Sequence, residues 1–399
     1  MRLQSKTLIW PQPDVGVIPY DLSVYLHPSG LELVRSRCTE RKSDIYEEGQ
    51  KCYSLDNGRT WSDWEPNVMS RRLPEGILRT MEGSPMHDRY TGRSVQTVLE
   101  GLFPHEKADD CLAGLSTFYN KYRVYEMNSR KPVHEDWLMQ KGYSREHPLE
   151  KVWIGKNAMD AMGPFFTSHG GILMPIPITV LGPDGKIANP GGGFTWHEIQ
   201  FLVGRWRDQG QIEWNAGACI QMNPERSTRG AIEPTLAEFP DGRILMVFRG
   251  SNDANPAIPG YKWFCVSHDD GLSWTDPRPW HYSDGTPFFS PSSSPQLTRH
   301  SNGKVYWNGH LTPENPDGNA PRYPLVIGEV DPQSLMLIRE SVFTIDTRQP
   351  HEPETISMHR HELHEDRQTG EFVAYMTRCN VDAAGTYTGD SWEYRIAFD

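Results

Sequence analysis

The sequence contains no apolar run that approaches the roughly 18 residues a membrane-spanning helix requires. Residues 1–11 hold only a short apolar stretch before Pro11, so they do not resemble the hydrophobic core of a secretory signal peptide. We therefore expect a cytoplasmic protein, or a secreted or periplasmic one if a leader has been removed.

Cysteine is scarce, and the 6 cysteines form no Cys-x-x-Cys pair. Because metal-binding and redox motifs usually need closely spaced cysteines, we expect free buried thiols, no metal site and no cofactor.

Positively charged residues are fewer than negatively charged ones: 40 lysines and arginines against 52 aspartates and glutamates, for a net charge of -12. An acidic protein repels nucleic acid and anionic lipid. We expect neither as a partner, and the oligomeric state stays open.

Turn residues and aromatic rings are abundant. The 399 residues include 35 glycines, 32 prolines and 13 tryptophans, and aromatic residues make up 11% of the chain. This composition disfavours long helical bundles and intrinsic disorder.

One pattern recurs six times along the chain: a glycine turn followed by a segment rich in strand-forming residues. The glycines lie 61 to 79 residues apart, a spacing that suits a four-stranded antiparallel sheet with its loops. Six such sheets arranged radially form a six-bladed β-propeller. We therefore predict an all-β single domain over 1–399, closed by the N-terminal strand beside the last blade, with an irregular or helical mouth-side insertion at about 105–156. The glycines are Gly30, Gly92, Gly171, Gly242, Gly303 and Gly370.

Segments 54–61 and 267–274 share the pattern Ser-x-Asp-x-Gly-x-Ser/Thr-Trp. In such a turn the aspartate accepts hydrogen bonds from nearby backbone and hydroxyl groups, the glycine permits positive φ, and the tryptophan packs beneath the loop. We interpret both segments as structural turns. Together with the glycine repeat, they resemble the Asp-box (BNR) repeats of the sialidase (neuraminidase) superfamily of six-bladed β-propellers.

The resemblance implies a site in which three arginines hold a carboxylated sugar, a tyrosine nucleophile pairs with a glutamate, and an aspartate is the general acid. Glu233, followed by Arg249 on the next strand, resembles the family's glutamate and second arginine, although a structural ion pair is the alternative. Arg322 resembles the third arginine. Asp44 lies ahead of the first structural turn, where the family has its general acid. The rivals in the same loop are Glu47 and Glu48.

Two departures from the family pattern bear on the chemistry. Val17 stands where the first arginine would be, and no tyrosine stands at the nucleophile position, which holds His359 and His361 instead. Histidines two residues apart on a strand face the same side. Either one is therefore a candidate general base, with His169 or Tyr20 opposite. Possible replacements for the first arginine are Arg35, Arg37 and Arg79.

Three classes of function remain, in the order in which we rank them. A sialidase-like exo-glycoside hydrolase, acting on a sialic- or uronic-acid-type sugar, needs Glu233 and Asp44 beside the arginines. A propeller polysaccharide lyase that cleaves a uronic-acid glycan needs a histidine or tyrosine base, and a non-catalytic glycan-binding propeller needs the arginines alone. In each class the partner is an acidic oligosaccharide or glycoconjugate, and Trp307 is a candidate platform for a sugar face.

Overall fold

The computed structural model describes residues 1–42, 45–67, 69–105, 117–139, 141–142 and 163–398. Within these ranges 26 strands form six antiparallel sheets, and the helical elements are two short 3-10 turns, Asp208–Gly210 and Arg339–Ser341. The sheets are the six blades of a β-propeller, as the glycine repeat predicts. In this part of the chain, no helix has the length and hydrophobicity to cross a lipid bilayer.

The N-terminal strand β1 spans Arg2–Trp10, and the blades follow it in chain order. Blade I consists of β2 (Ile18–Tyr25), β3 (Leu33–Lys42), β4 (Ile45–Ser54) and β5 (Glu65–Pro66). Blade II consists of β6 (Ser70–Leu73), β7 (Gly76–Glu82), β8 (Met86–Asp88), β9 (Arg93–Phe103), β10 (Thr117–Tyr125) and β11 (His134–Trp137). Blade III consists of β12 (Phe165–Phe166), β13 (Ile172–Ile178), β14 (Glu198–Trp206) and β15 (Ile212–Ile220).

The remaining three blades each contain four strands. Blade IV consists of β16 (Ile232–Glu238), β17 (Ile244–Arg249), β18 (Lys262–Ser267) and β19 (Arg278–Pro279). Blade V consists of β20 (Gln296–Arg299), β21 (Val305–His310), β22 (Leu325–Glu329) and β23 (Phe343–Asp346). Blade VI consists of β24 (Ser357–Glu365), β25 (Phe372–Val381), β26 (Tyr387–Ala397) and β1.

The two ends of the chain close the propeller. Strand β1 pairs antiparallel with β26, with Lys6 opposite Tyr394 and Leu8 opposite Trp392. The N-terminal strand is thus the outer strand of blade VI, as predicted. Pairing the two ends in one sheet ties the first blade to the last.

Each predicted glycine turn leads into a central strand of its blade: β3, β9, β13, β17, β21 or β25. At Gly242 and Gly303 the backbone φ angles are 83° and 86°, a conformation that residues with a side chain rarely adopt. The repeat read from the sequence therefore marks one recurring feature, the turn between the first strands of a blade.

The two Ser-x-Asp-x-Gly turns have the predicted hydrogen bonds. Asp56 accepts bonds from the Thr60 backbone N–H at 2.8 Å and from the Thr60 hydroxyl at 2.6 Å. The Gly58 N–H donates to the Ser54 hydroxyl at 2.8 Å, and Gly58 has a φ of 83°. The turn around Asp269 repeats these bonds. Both segments are structural turns.

The predicted insertion at 105–156 needs correction in the part that the structure describes. Strand β10 pairs with β9, and β11 pairs with β10, so Thr117–Tyr125 and His134–Trp137 belong to blade II. They are neither irregular nor helical. Most of the rest of the segment lies outside the described residues.

Strand direction defines the two faces of the propeller. In an antiparallel four-stranded blade, the first and third strands begin, and the second strand ends, at the same end of the sheet. We call this end the mouth. The glycine turns and the two structural turns connect strands at the opposite end. The turns that define the fold therefore lie on the face opposite the mouth.

The hydrophobic core lies between neighbouring sheets. The largest interface, between blades IV and V, buries Trp280, Trp307 and Val326 among other apolar side chains. The cysteines in the described ranges form no disulfide bond. Four of them are buried as expected, whereas Cys219 is exposed.

Candidate functional site

A cavity of about 510 Å³ lies at the centre of the propeller. This volume is typical of a small-molecule binding site. Every blade contributes to its wall, and several of the lining residues lie on first strands. The wall includes Tyr20, Thr97, Phe165, Thr235, Gln296 and Glu362, from blades I to VI respectively.

Glu233 and Arg249 form an ion pair at the mouth end of blade IV. Glu233 Oε1 accepts a hydrogen bond from Arg249 Nη1 at 2.9 Å, and Oε2 accepts one from the Ser294 hydroxyl at 2.6 Å. Burial alone would raise the pKa of Glu233, but the Arg249 charge and these hydrogen bonds outweigh it and lower the pKa to about 2. Glu233 is therefore ionised at neutral pH, with both oxygens occupied.

The local backbone conformation explains the orientation of the Glu233 and Arg249 side chains. Strand β16 has a bulge between Ile232 and Thr235, and Glu233 within it has a φ of 49°. A bulge redirects a side chain out of the regular strand alternation. Arg249 Nε donates to the Ser292 hydroxyl at 2.7 Å, and Nη2 donates to Asn319 Oδ1 at 2.9 Å. The guanidinium is thus held on three sides.

Two further arginines surround the pair. Burial and the charge of Arg249 lower the pKa of Arg322 to about 10 and that of Arg229 to about 9, while Glu233 acts in the opposite direction on both. The Nε atoms of Arg229 and Arg322 are buried without a hydrogen-bond acceptor. Asp253 also acts on Arg229 in the same direction as Glu233. Arg229, Arg249 and Arg322, which we call the arginine cluster, therefore carry more positive charge than the two nearby carboxylates neutralise.

Sequence reasoning found Arg249 and Arg322 but missed Arg229. Arg229 lies in the segment leading into β16, four residues before Glu233, and Nη2 donates to the Thr195 hydroxyl at 2.9 Å. The strand assignment alone would place such a residue near the mouth. Nothing in its local sequence distinguishes it from an ordinary loop arginine.

His359 and His361 lie beside the arginine cluster as neutral rings. Burial, followed by the Arg322 charge, lowers the pKa of His359 to about 3, and burial, followed by Lys262, lowers that of His361 to about 4. His359 Nε2 lies 3.3 Å from Arg322 Nη1. Because arginine only donates, this nitrogen of His359 is the acceptor.

His361 packs against a cluster of buried polar side chains that includes His310, Ser293 and Lys262. His310 Nδ1 is 3.0 Å from the Ser293 hydroxyl, and its ring meets that of His361 edge to face, with 5.3 Å between centroids. Lys262 Nζ donates to the Pro291 carbonyl at 2.6 Å, and burial lowers the pKa of Lys262 well below its usual value. In the described part of the chain, no three ligating side chains are arranged to hold a metal ion.

Tyr20 lines the cavity from blade I and pairs with a carboxylate. Its hydroxyl donates to Glu40 Oε2 at 2.5 Å, and both residues are buried. Burial and the Glu40 charge raise the pKa of Tyr20 well above its usual value, against the Arg360 charge. Sequence reasoning named Tyr20 but not its partner Glu40, which lies near the end of β3, four residues before the proposed general acid Asp44.

Arg360 lies over the ring of Tyr20. Its guanidinium carbon is 4.6 Å from the Tyr20 ring centroid and 3.7 Å from that of Tyr46. Arg360 is exposed, lines the cavity and stands between the two predicted histidines. Arg360 is not among the site residues predicted from the sequence.

Two predicted binding residues lie elsewhere, and the predictions for them are wrong. His169 is in the turn between β12 and β13, opposite the mouth, 3.5 Å from Asp270. Trp307 is fully buried between blades IV and V, because its position on β21 points it into the core. Neither contributes to the cavity wall.

The remaining predicted residues have mixed outcomes. Asp44 lies outside the described residues, so its role as general acid stays a prediction. Its rivals Glu47 and Glu48 lie 3.8 and 3.7 Å from Arg41. Val17, at the position of the first family arginine, is fully buried.

Two of the suggested replacement arginines have side-chain partners of their own, although Arg37 also lines the cavity. Arg35 makes a bidentate contact with Asp21 at 2.6 and 2.9 Å. Arg37 donates to Gln50 and lies over the ring of Trp64. Arg79 is buried, with its guanidinium over the ring of Phe103.

Comparison with known proteins places the fold. No protein-family profile and no curated protein matches the sequence. Among solved structures, a Dyadobacter fermentans protein of unknown function is similar over 99% of both chains, with a TM-score of 0.61 and 12% identity. The K499G mutant of the NanB sialidase from Streptococcus pneumoniae is similar over 98% of this chain and 70% of its own, with a TM-score of 0.60 and 12% identity.

The Trypanosoma rangeli sialidase, in complex with the inhibitor DANA, is similar over 99% of this chain and 58% of its own, with a TM-score of 0.56 and 12% identity. The chain therefore has the six-bladed propeller fold of sialidases. At this identity the likeness concerns the fold, and function has to be argued from the site.

Proposed function

We propose that this protein is a sialidase-like glycoside hydrolase that removes a terminal sugar carrying a carboxylate, of the sialic- or uronic-acid type. The observation that carries the proposal is the arginine cluster, in which three guanidiniums share two neighbouring carboxylates, Glu233 and Asp253, near the mouth. A local excess of positive charge in a protein of net charge -12 favours a small anionic ligand at that point.

Arg249 and Arg322 are the proposed carboxylate-binding residues. A guanidinium offers two parallel N–H groups that match a carboxylate. Glu233 is proposed to act through Arg249, because both of its oxygens are engaged and its low pKa makes it a poor proton donor. It is a positioning residue, and we still expect it to be indispensable.

The Tyr20–Glu40 pair is the proposed source of the nucleophile. Because Tyr20 holds its proton at neutral pH, Glu40 must accept that proton as the phenol oxygen bonds to the anomeric carbon. The bond to the leaving sugar oxygen breaks in the same step, and that oxygen takes a proton from the general acid, for which Asp44 remains the candidate. Water then attacks the anomeric carbon and gives one proton to the Asp44 carboxylate, while the bond to the tyrosine oxygen breaks and Glu40 returns its proton to the phenol. Each group thereby regains its starting protonation state.

A lyase is the second candidate function, favoured by one observation. His359 and His361 are neutral above about pH 5 and lie at the arginine cluster, so either could abstract the proton next to a uronate carboxylate. The pair of electrons released would expel the 4-linked sugar and leave an unsaturated uronate. A glycan-binding propeller without activity is the third candidate.

One experiment separates these functions. The protein is incubated with sialyl-lactose and a panel of uronic-acid oligosaccharides and glycosides, and each reaction is read for new reducing ends and for ultraviolet absorbance of an unsaturated uronate. The hydrolase releases reducing ends without absorbance, the lyase produces both, and a binding module produces neither. Glu233→Gln should abolish hydrolysis, whereas Glu238→Gln, at the far end of the same strand, should not.

A further inference from the structure

Arg360 differs from the other mouth arginines in that no described residue accepts a hydrogen bond from its N–H groups. Arg249 makes three side-chain hydrogen bonds, Arg229 bonds to Thr195, and Arg322 bonds to the Ser292 carbonyl. For Arg360, the described residues supply only the faces of two tyrosine rings. An exposed guanidinium in a cavity wall, whose donors none of the described residues engages, is suited to bind an anion.

The two tyrosines orient this guanidinium. Its carbon lies 3.7 Å from the Tyr46 centroid and 4.6 Å from the Tyr20 centroid. Cation–π contacts of this kind hold an arginine in place without using its N–H groups as hydrogen-bond donors. Tyr46 is 2% exposed, so one of the two supports is a rigid part of the core.

The backbone at Arg360 repeats the construction at Glu233. Arg360 has a φ of 46° within the bulge of β24 between His359 and Glu362, and Glu233 has a φ of 49° within the bulge of β16. A non-glycine residue in this conformation costs free energy and is found preferentially at functional sites. In both strands the bulge redirects a charged side chain near the mouth.

We infer that Arg360 binds the carboxylate of the sugar, supplying a cation from blade VI beside Tyr20. The inference rests on the proposed function. It adds a binding residue next to Tyr20. Arg322 also lies near Tyr20, close enough for its positive charge to interact with a Tyr20 phenolate. A carboxylate gripped here would hold the sugar against the phenol that is proposed to attack it.

The test uses Arg360→Gly, because glycine adopts positive φ without strain, which offsets the conformational entropy that glycine adds to the unfolded chain. Calorimetric titration with N-acetylneuraminate and with glucuronate should show a 10- to 100-fold weaker Kd for at least one of them. Ethylguanidinium should restore part of the affinity, and the Tm should stay within a few degrees. Arg339→Gln is the matched control, since Arg339 stacks on Tyr282 at 4.2 Å, in the connection between β22 and β23 away from the mouth.

An unchanged Kd in Arg360→Gly overturns the inference. If the wild type binds an acidic sugar but cleaves no glycoside, the proposed hydrolase fails while the Kd comparison still decides the role of Arg360. If the wild type binds no acidic sugar, the titration is repeated with inorganic sulfate. Weaker sulfate binding in Arg360→Gly then supports an anion site at this residue, and equal or absent binding overturns it.

Discussion

Glu233→Gln isolates the charge at the centre of the arginine cluster. Glutamine keeps the shape of the side chain and an oxygen for Arg249, so the substitution mainly removes the negative charge. The pKa of Glu233 is lowered from 4.5 to about 2. A difference of about 2.5 units corresponds to about 3 kcal/mol of folding free energy at pH 7.

The pH dependence follows from the direction of this shift. Because the folded-state pKa lies below the unfolded value, the carboxylate contributes its full stabilisation above about pH 4.5 and loses it as the pH falls through about 2. At pH 3 roughly 1.5 kcal/mol should remain. Wild type and variant should therefore differ by about 3 kcal/mol at pH 7 and by about half of that at pH 3.

Urea denaturation at both pH values, followed by tryptophan fluorescence, measures the difference. Glu238→Gln, in the same strand, is the control for replacing a glutamate as such. Equal stability of wild type and Glu233→Gln at pH 7 would refute the view that the arginine cluster depends on this carboxylate. A difference that does not change between pH 7 and pH 3 would show that charge is not its origin.

The remaining predictions concern binding, catalysis and the core. Arg249→Lys keeps the positive charge but loses the forked guanidinium that Glu233 and its other partners hold. Affinity for an acidic sugar, measured by calorimetry, should therefore fall 10- to 100-fold, about 1.5–3 kcal/mol. Equal turnover of an acidic substrate by wild type and variant would contradict the carboxylate-binding role. In a lyase, His361→Ala should abolish the absorbance of unsaturated product while Asp44→Asn leaves it intact, whereas in a hydrolase Asp44→Asn should lose the release of reducing ends. Trp307→Ala should lower the free energy of unfolding, measured by denaturation, by about 3–5 kcal/mol because the ring is fully buried. A loss of sugar affinity with an unchanged free energy of unfolding would instead indicate that the ring contacts the ligand.

The fold was predictable because its signals are local. Five of the six repeat glycines, including Gly242 and Gly303, have positive φ, which glycine adopts without strain. The Ser-x-Asp-x-Gly turn closes its hydrogen bonds within eight residues. Such patterns are legible in one segment at a time, and their spacing gives the number of blades. The described strands at 117–137 escaped prediction because no glycine turn precedes them.

The site was only partly predictable because it is assembled from distant segments. Glu233 and Arg249 lie on adjacent strands of one hairpin, and their spacing carried the signal. Arg360 meets Tyr20 across the interface between blades VI and I, 340 positions away in the chain. Trp307 was misread because strand alternation, rather than residue type, decides whether a ring faces a ligand or the core.

The central claim is that the mouth binds a sugar through its carboxylate. Calorimetric titration of the wild type with a uronic or sialic acid, and with the corresponding neutral carboxamide, tests it directly. We predict that the acid binds at least 10-fold more tightly than the carboxamide and that raising the salt concentration narrows the difference. Equal affinity for the two sugars would contradict the account.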